Sequence, residues 1–383
     1  MKEKLCYVDR IGSGCTKWDL QEGSFGETGL MGLWVADMDF RIPEAVREAT
    51  VKYAEYGIYG YAPAPESYYE AFIHWEKKKH GFTPKRAWLR YSPGVVPGFY
   101  WCVQRFTEPG DAVIVQPPVY YPFLDAVRKN GRKLVTSELC CENGVYSIDF
   151  ADFEEKIVEN DVKLFIFCSP HNPVGRVWTK EELTRLFDIC RRHDVFIVSD
   201  EIHHDLILGD KPHIPSLSLL HESDRCVAFT APSKTFNLAG LQNAVMMAEN
   251  EEILAAWDSY VPLEKGSPIG YIAAETAWRE GEEWLEAVLD TVRENEAFVR
   301  KTLLSALPEL RISPLEGTYL MWLNFESYLK AEEMADFFQK KCRLAFDYGS
   351  WFGGNAACCI RMNLATCKEN LAEACRRIIK NLQ

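Results

Sequence analysis

Six short apolar runs constrain the fold of this chain more than any other feature: DAVIVQPP, KLVTSE, KLFIFCSP, DVFIVSDE, CVAFTAPS and NAVMMAE, spread over residues 111–249. Each is rich in β-branched and aromatic residues, each stays apolar without alternating, and helix-sized segments separate them. Strands buried on both faces read this way, and strands that alternate with helices build a parallel sheet. The predicted class is α/β, a mostly parallel doubly wound sheet drawn from about residues 43 to 260.

The texture changes past about residue 268. GYIAAETAW has helical periodicity, and a long helical stretch from Glu282 to Leu307 carries Leu285, Val288, Leu289, Val292, Val299 and Leu303 before Pro308 stops it. TYLMWLNF and CCIRMNLAT read as strands around the amphipathic AEEMADFFQKK, and a last helix starts near Glu369. This α+β pattern predicts a second, smaller domain. A chain of 383 residues is too long for one core. No repeat and no Ser/Gly-rich or Pro-rich linker divides it. The expected partition is an N-terminal arm over 1–46 packing with the small domain, a large domain over 47–285 and a small C-terminal domain over 286–383.

Composition narrows the functional classes. Hydrophobic residues at 47% and charged residues at 26% exclude a disordered chain. No apolar run reaches the roughly 18 to 20 residues that cross a bilayer, and the first residues lack the apolar segment of a signal peptide. A soluble, cytoplasmic protein with no membrane partner is expected. With 43 Lys+Arg against 56 Asp+Glu, the net charge of −13 repels a phosphate backbone, so no nucleic-acid partner is expected. The 13 cysteines form no CxxC pair and no metal-ligand spacing, and read as reduced, mostly buried side chains.

The sharpest chemical feature is Lys234 in Ala231-Pro232-Ser233-Lys234-Thr235-Phe236-Asn237, directly after CVAFT. In open α/β sheets, ligands collect at the carboxyl ends of the strands. Two other loops leave the same edge: Ser169-Pro170-His171-Asn172-Pro173-Val174-Gly175-Arg176 after KLFIFC, and Asp200-Glu201-Ile202-His203 after DVFIVS. Alone, a lysine there is ordinarily a solvated charge, and Asp200 alone reads as a helix cap. The shared edge gives both their weight. His203, His204 and Asp205 invite a metal reading, but neighbours on an extended turn point to opposite sides and no third ligand follows at a helical spacing. No metal is expected.

Strand-SPHNPVGR, strand-SDEIH and strand-PSKTFN, in this order and joined by YGY near residue 60, PPVYYPF near 120 and IRMNLAT near 360, resemble the fold-type I pyridoxal-phosphate (PLP) enzymes of the class I/II aminotransferase superfamily. The resemblance spans nearly the whole chain. It implies that Lys234 forms the Schiff base with pyridoxal 5′-phosphate and later moves the substrate α-proton, which requires a lowered amine pKa. It implies that Asp200 pairs with the pyridine nitrogen, that Asn172 bonds the ring O3′, and that Tyr120 stacks on the ring. Gly94, Val95 and Val96, ahead of a helix expected over Phe99 to Phe106, would present backbone N–H groups to the phosphate. Ser233 and Thr230 would add hydroxyls, and His203 belongs to the same cofactor set. Tyr61 would reach the phosphate of a neighbouring subunit, making a homodimer with shared active sites. Arg361 would hold the substrate α-carboxylate bidentately, beside Asn172 and Ala36.

Two positions depart from the common pattern of that superfamily. Where many members carry an arginine eight residues after the lysine, this chain has Gln242; where many carry a tyrosine three residues after the aspartate, it has His203. Both departures, with Trp34-Val35-Ala36-Asp37-Met38-Asp39-Phe40 and Pro212-His213-Ile214-Pro215, are similar to the cystathionine β-lyase branch of cysteine-S-conjugate β-lyases. The expected reaction is β-elimination from L-cystathionine or another cysteine S-conjugate, giving thiol, pyruvate and ammonia. The alternative is an aminotransferase using the same lysine. A third reading is a PLP-binding regulatory protein that acts through protein contacts.

Overall fold

Seven strands form one sheet in the order Leu89–Ser92, Ala244–Met247, Cys226–Thr230, Phe196–Asp200, Val162–Cys168, Ala112–Val115 and Lys133–Thr136. The computed structural model describes residues 5–221, 223–260 and 266–383, so residues 1–4 of the expected arm lie outside the described residues. All six apolar runs are strands. Five pair in parallel with one another, and Ala244–Met247 runs antiparallel to both of its neighbours. The reason lies in its connection: between Thr230 and Ala244 there is one helical turn, Pro232–Thr235, and one 3-10 turn, Ala239–Leu241, and no full helix to carry the chain back across the sheet. Leu89–Ser92 is a strand that the sequence pattern does not flag, because four residues followed by Pro93-Gly94 leave too short a run.

The unbroken apolar character of the central strands has a direct packing cause. Leu164, Ile166, Val198, Val227 and Phe229 enter one core with Phe99 and Val103 of the Val95–Phe106 helix, while Phe165, Phe167, Ile197 and Ala228 enter the other with Leu183, Phe187 and Trp178. Successive side chains point to opposite faces, so helices on both faces require apolar residues at every position. Each fully buried aliphatic or aromatic side chain contributes about 1.5–3 kcal/mol.

A second, antiparallel sheet has the order Arg311–Ile312, Leu320–Asn324, Cys359–Asn363, Asp347–Tyr348. The 25-residue helix Glu282–Ala306 and the terminal helix Lys368–Leu382 pack together beside it. Met31–Gly32 pairs in parallel with Leu344–Ala345, and the Asn363 N–H donates to Leu33 O at 2.9 Å. The same segment then ties to the large sheet's edge: Asn237 Oδ1 accepts from Met38 N–H at 2.9 Å, and Asn237 Nδ2 donates to Met38 O and Phe40 O at 3.0 and 2.9 Å. Asp39, fully buried, is neutralised by Lys17 at 3.1 Å and bonded by Trp18 Nε1 at 3.1 Å. These links set Ala36 over the strand ends. No helix among the described residues is long and apolar enough to cross a membrane.

Candidate active site

Register alone brings the three motif loops together. Cys168 pairs with Asp200, and Asp200 with Phe229, so the strands preceding the three loops end level with one another. Ser169 N–H donates to Asp200 O at 3.0 Å and Glu201 N–H to Phe229 O at 2.8 Å, which locks the loop starts in place. Beyond these ends lies a cleft that opens to solvent, the place where open α/β sheets bind their ligands. Ala36, Gly94, Val95, Val96, Tyr120, Asn172, Asp200, His203, Ser233 and Lys234 all line it, as do Cys168, Gln242 and Asn243.

Lys234 sits in the short helix after its strand and donates from Nζ to Ala36 O at 2.7 Å, a carbonyl that also accepts from Tyr319 OH at 2.9 Å. Burial pushes its amine down to about 8, and Arg361 adds to that fall against the opposing charges of Asp37 and Asp200. Asp200 is 4% exposed, and its Oδ1 accepts from Ile202 N–H at 3.0 Å. Burial raises its carboxyl to about 7, with the charge of Lys234 pulling the other way. Burial, Lys234 and Arg361 together lower the pKa of His203, so its imidazole is neutral.

The Val95–Phe106 helix begins four residues earlier than the sequence suggests, with Pro97 in its first turn, where the missing N–H would have no intrahelical partner anyway. Gly94 caps it without any side-chain bond, leaving N–H donors at the cavity wall. Gly98 allows the close approach: a Cβ there would lie 2.4 Å from the Phe229 ring.

Arg361 is buried outside the cavity lining and reaches it only through Asn172, which does line it. Its Nη1 donates to Asn172 Oδ1 at 2.8 Å, and its Nη2 donates to Trp34 O at 3.2 Å and pairs with Asp347 Oδ2. Its Nε has no hydrogen-bond partner among the described residues. Asp347 is invisible to motif reasoning, since Asp347-Tyr348-Gly349 reads as a turn; only the cross-strand register Asp347↔Arg361 reveals it. Tyr319 is equally silent in sequence, and Ala36 is reached only through the resemblance.

Besides Arg361, two expected residues lie outside the lining. Thr230 is buried but outside the cavity lining: its hydroxyl bonds the His204 ring and Glu201 O, so it is turned away from the phosphate role given to it. Tyr61 is 95% exposed and outside the cavity of its own chain.

The residues present fit pyridoxal phosphate. An uncapped helix N-terminus suits the phosphate, a buried carboxyl that gains a cationic partner suits a protonated ring nitrogen, and an amine whose pKa burial lowers suits the aldehyde.

The family model for aminotransferase class I and II matches residues 28–378. The chain is 37% identical over 375 residues to the cystathionine beta-lyase PatB of Bacillus subtilis (strain 168), covering 97% of each protein. The PLP-bound C-S lyase of Staphylococcus hominis superposes with a TM-score of 0.94 at 34% identity, over 98% of this chain and 97% of that one. Cystalysin of Treponema denticola, which contains pyridoxal 5′-phosphate, superposes with a TM-score of 0.94 at 34% identity, over 100% and 99%. The fold is that of the fold-type I PLP transferases, and the chain belongs to the class I and II aminotransferase family, as a PLP-dependent enzyme.

Proposed function

We propose that this chain is a carbon–sulfur β-lyase that takes L-cystathionine or another S-substituted cysteine and releases the thiol, pyruvate and ammonia. The observation that carries the reading is the charge pattern of the cavity: among its lining residues Lys234 is the only cation, and Arg361 stands just behind Asn172. Among the described residues of this chain, one guanidinium stands near the cavity for the substrate α-carboxylate, and none lines it for a second, distal carboxylate. Apart from Asp200, assigned to the cofactor ring, the rest of the lining is neutral, Gln242 and Asn243 included, which suits varied thiol leaving groups rather than a dicarboxylic amino acid.

The chain's own groups divide the work. Arg361 fixes the carboxylate, with Nε as its free donor and Asn172 and Asp347 setting its plane. Lys234 Nζ, held at Ala36 O, takes the α-proton as a neutral amine. With PLP bound, Asp200 would keep the ring nitrogen protonated, and Asn172 Nδ2 would be left to donate to the ring oxygen. Bound PLP supplies the electron sink for the α-carbanion. When the C–S bond breaks, the thiolate leaves with the electron pair, and water hydrolyses the eliminated enamine to pyruvate and ammonia. The native state is a homodimer, and Tyr61 serves the partner's phosphate site. Tyr56, Ile58, Tyr59 and Tyr61 form an exposed apolar and aromatic run that a second copy would cover. The 13 cysteines are all free, which fits a reducing cytoplasm.

The test is a comparison on one preparation of pyruvate release from L-cystathionine with keto-acid-dependent amino transfer. Pyruvate release dominates under this reading. Dominant amino transfer with no thiol released from any S-substituted cysteine would replace it with the aminotransferase reading.

A further inference from the structure

The turn 201–205 sends two adjacent imidazoles to different places. His203 lines the cavity, whereas His204 enters a separate buried cluster with Glu76, His80 and Asp205. The sequence expectation of no metal rests on the lack of a third donor near these residues. The fold brings two, from a helix 125 residues before Asp205. Glu76 and His80 stand four apart on Glu66–His80, so they share one helix face.

The donor atoms of Glu76, His80 and His204 all lie within 4.8 Å of one another. Contacts run His204 Nε2 to Glu76 Oε1 at 3.2 Å, His204 Nε2 to Asp205 Oδ2 at 3.3 Å, and His80 Nε2 to Asp205 Oδ1 at 2.9 Å. All four side chains are at most 5% exposed. Glu76 Oε1 is buried and directed into the cluster, where it makes no well-aligned hydrogen bond beyond its ion-pair contact with His204.

We propose that Glu76, His80, His204 and Asp205 bind one zinc ion as a closed structural site. A tetrahedral zinc with bonds of about 2.0–2.2 Å spaces its donors roughly 3.3 Å apart; the His204–Glu76 contact is 3.2 Å, and Asp205 joins the three mutually close donors by meeting His80 through Oδ1 at 2.9 Å and His204 through Oδ2 at 3.3 Å. Two carboxylates and two neutral imidazoles cancel the charge of a divalent ion, which removes the problem of burying two anions together. The surroundings orient the donors as metal sites require. His204 Nδ1 donates to Glu201 O at 2.7 Å, which turns Nε2 toward the cluster. Asp205 is fixed by Trp75 Nε1 at 3.0 and 3.1 Å and by Thr235 Oγ1 at 2.8 Å. Thr235 follows Lys234, so the ion would clamp the Glu66–His80 helix to both the turn after Asp200 and the lysine helix. It would touch no reacting atom.

The test uses PLP-loaded enzyme made without an affinity tag. The protein is dialysed against a chelator, re-equilibrated with zinc or with cobalt, gel-filtered and analysed for metal content. His80→Asn and Glu76→Gln are treated in parallel, with the cofactor's visible absorbance as the check on folding. The expected result is about one zinc per chain in the parent and under about a tenth of that in each variant at equal cofactor loading. The cobalt form should show visible d–d bands of a tetrahedral ion and no thiolate charge-transfer band. Exposed thiols such as Cys140 and Cys141 can hold zinc adventitiously, but neither substitution touches them. Equal metal in parent and variants, a thiolate band, or no retained metal overturns the proposal in favour of a metal-free ion network centred on a protonated His204. Should both variants lose the cofactor, the parent's cobalt spectrum decides alone.

Discussion

Asp347 and Arg361 sit opposite each other across an antiparallel strand pair and form an ion pair that water does not reach. The arginine assigned to the substrate carboxylate therefore already has a carboxylate of its own, and the two oxygens of Asp347 differ: Oδ2 meets the guanidinium, and Oδ1 has no partner among the described residues. Burial raises the Asp347 carboxyl to about 6 even beside that guanidinium.

Replacing Asp347 tests this arrangement. Asp347→Asn leaves the Arg361 charge buried and uncompensated, a change that costs about 3–5 kcal/mol in such pairs and lowers the melting temperature. A small carboxylate such as acetate should then raise melting more in the variant than in the parent, because it replaces the missing charge. Equal acetate responses would mean that Arg361 is closed to external carboxylates.

The lowered pKa of Lys234 gives a pH prediction with a definite sign. A protonated amine cannot attack an aldehyde, and the folded-state value is about 8 instead of the ordinary 10.5. The rate of reconstitution of apoprotein with PLP should rise as pH passes through about 8 and level off above it. Arg361→Gln removes a cation that disfavours the charged amine, so its transition should move to higher pH. A stopped-flow pH series on both proteins measures this; a midpoint near 10 in the parent would contradict the burial of Lys234.

Legibility from sequence follows physical cause residue by residue. Lys234, Asp200 and Asn172 are readable because polar residues at the ends of unbroken apolar strands have one topological destination. Ala36 is readable only by resemblance, since its contribution is a main-chain carbonyl, and carbonyls have no side-chain signature. Asp347 and the Glu76–His80 pair depend on contacts between distant segments, and a carboxylate on an amphipathic helix looks like a solvated one. Thr230 misleads because a hydroxyl at a strand end can turn to either side, and here His204 takes it.

Close packing beneath the phosphate site yields a third prediction. Gly98→Ala would drive a methyl into the Phe229 ring, so the helix must lift away from its strand. Overpacking of this kind destabilises by about 1–3 kcal/mol. The lift also moves Val95 and Val96, so PLP should dissociate more readily at equilibrium dialysis. Lower melting with unchanged PLP affinity would confine the effect to the core and weaken the assignment of that helix end to the phosphate.

The last prediction concerns the shared site. Tyr61 is exposed on its own chain, and the cavity behind Lys234 lacks any tyrosine from the 59–61 segment. If Tyr61 completes a partner's site, then Tyr61→Phe and Lys234→Ala fail for different reasons in different halves of the dimer. Unfolding and refolding a 1:1 mixture of the two should produce hybrids in about half of the dimers. Each hybrid has one site built from an intact Lys234 on one chain and an intact Tyr61 on the other, so activity should recover to roughly a quarter of the parent's. Borohydride reduction of the hybrid should label Lys234 on the Tyr61→Phe chain alone. Recovery that stays at the sum of the two separate variants, in a mixture shown to exchange subunits, would place Tyr61 outside the catalytic assembly.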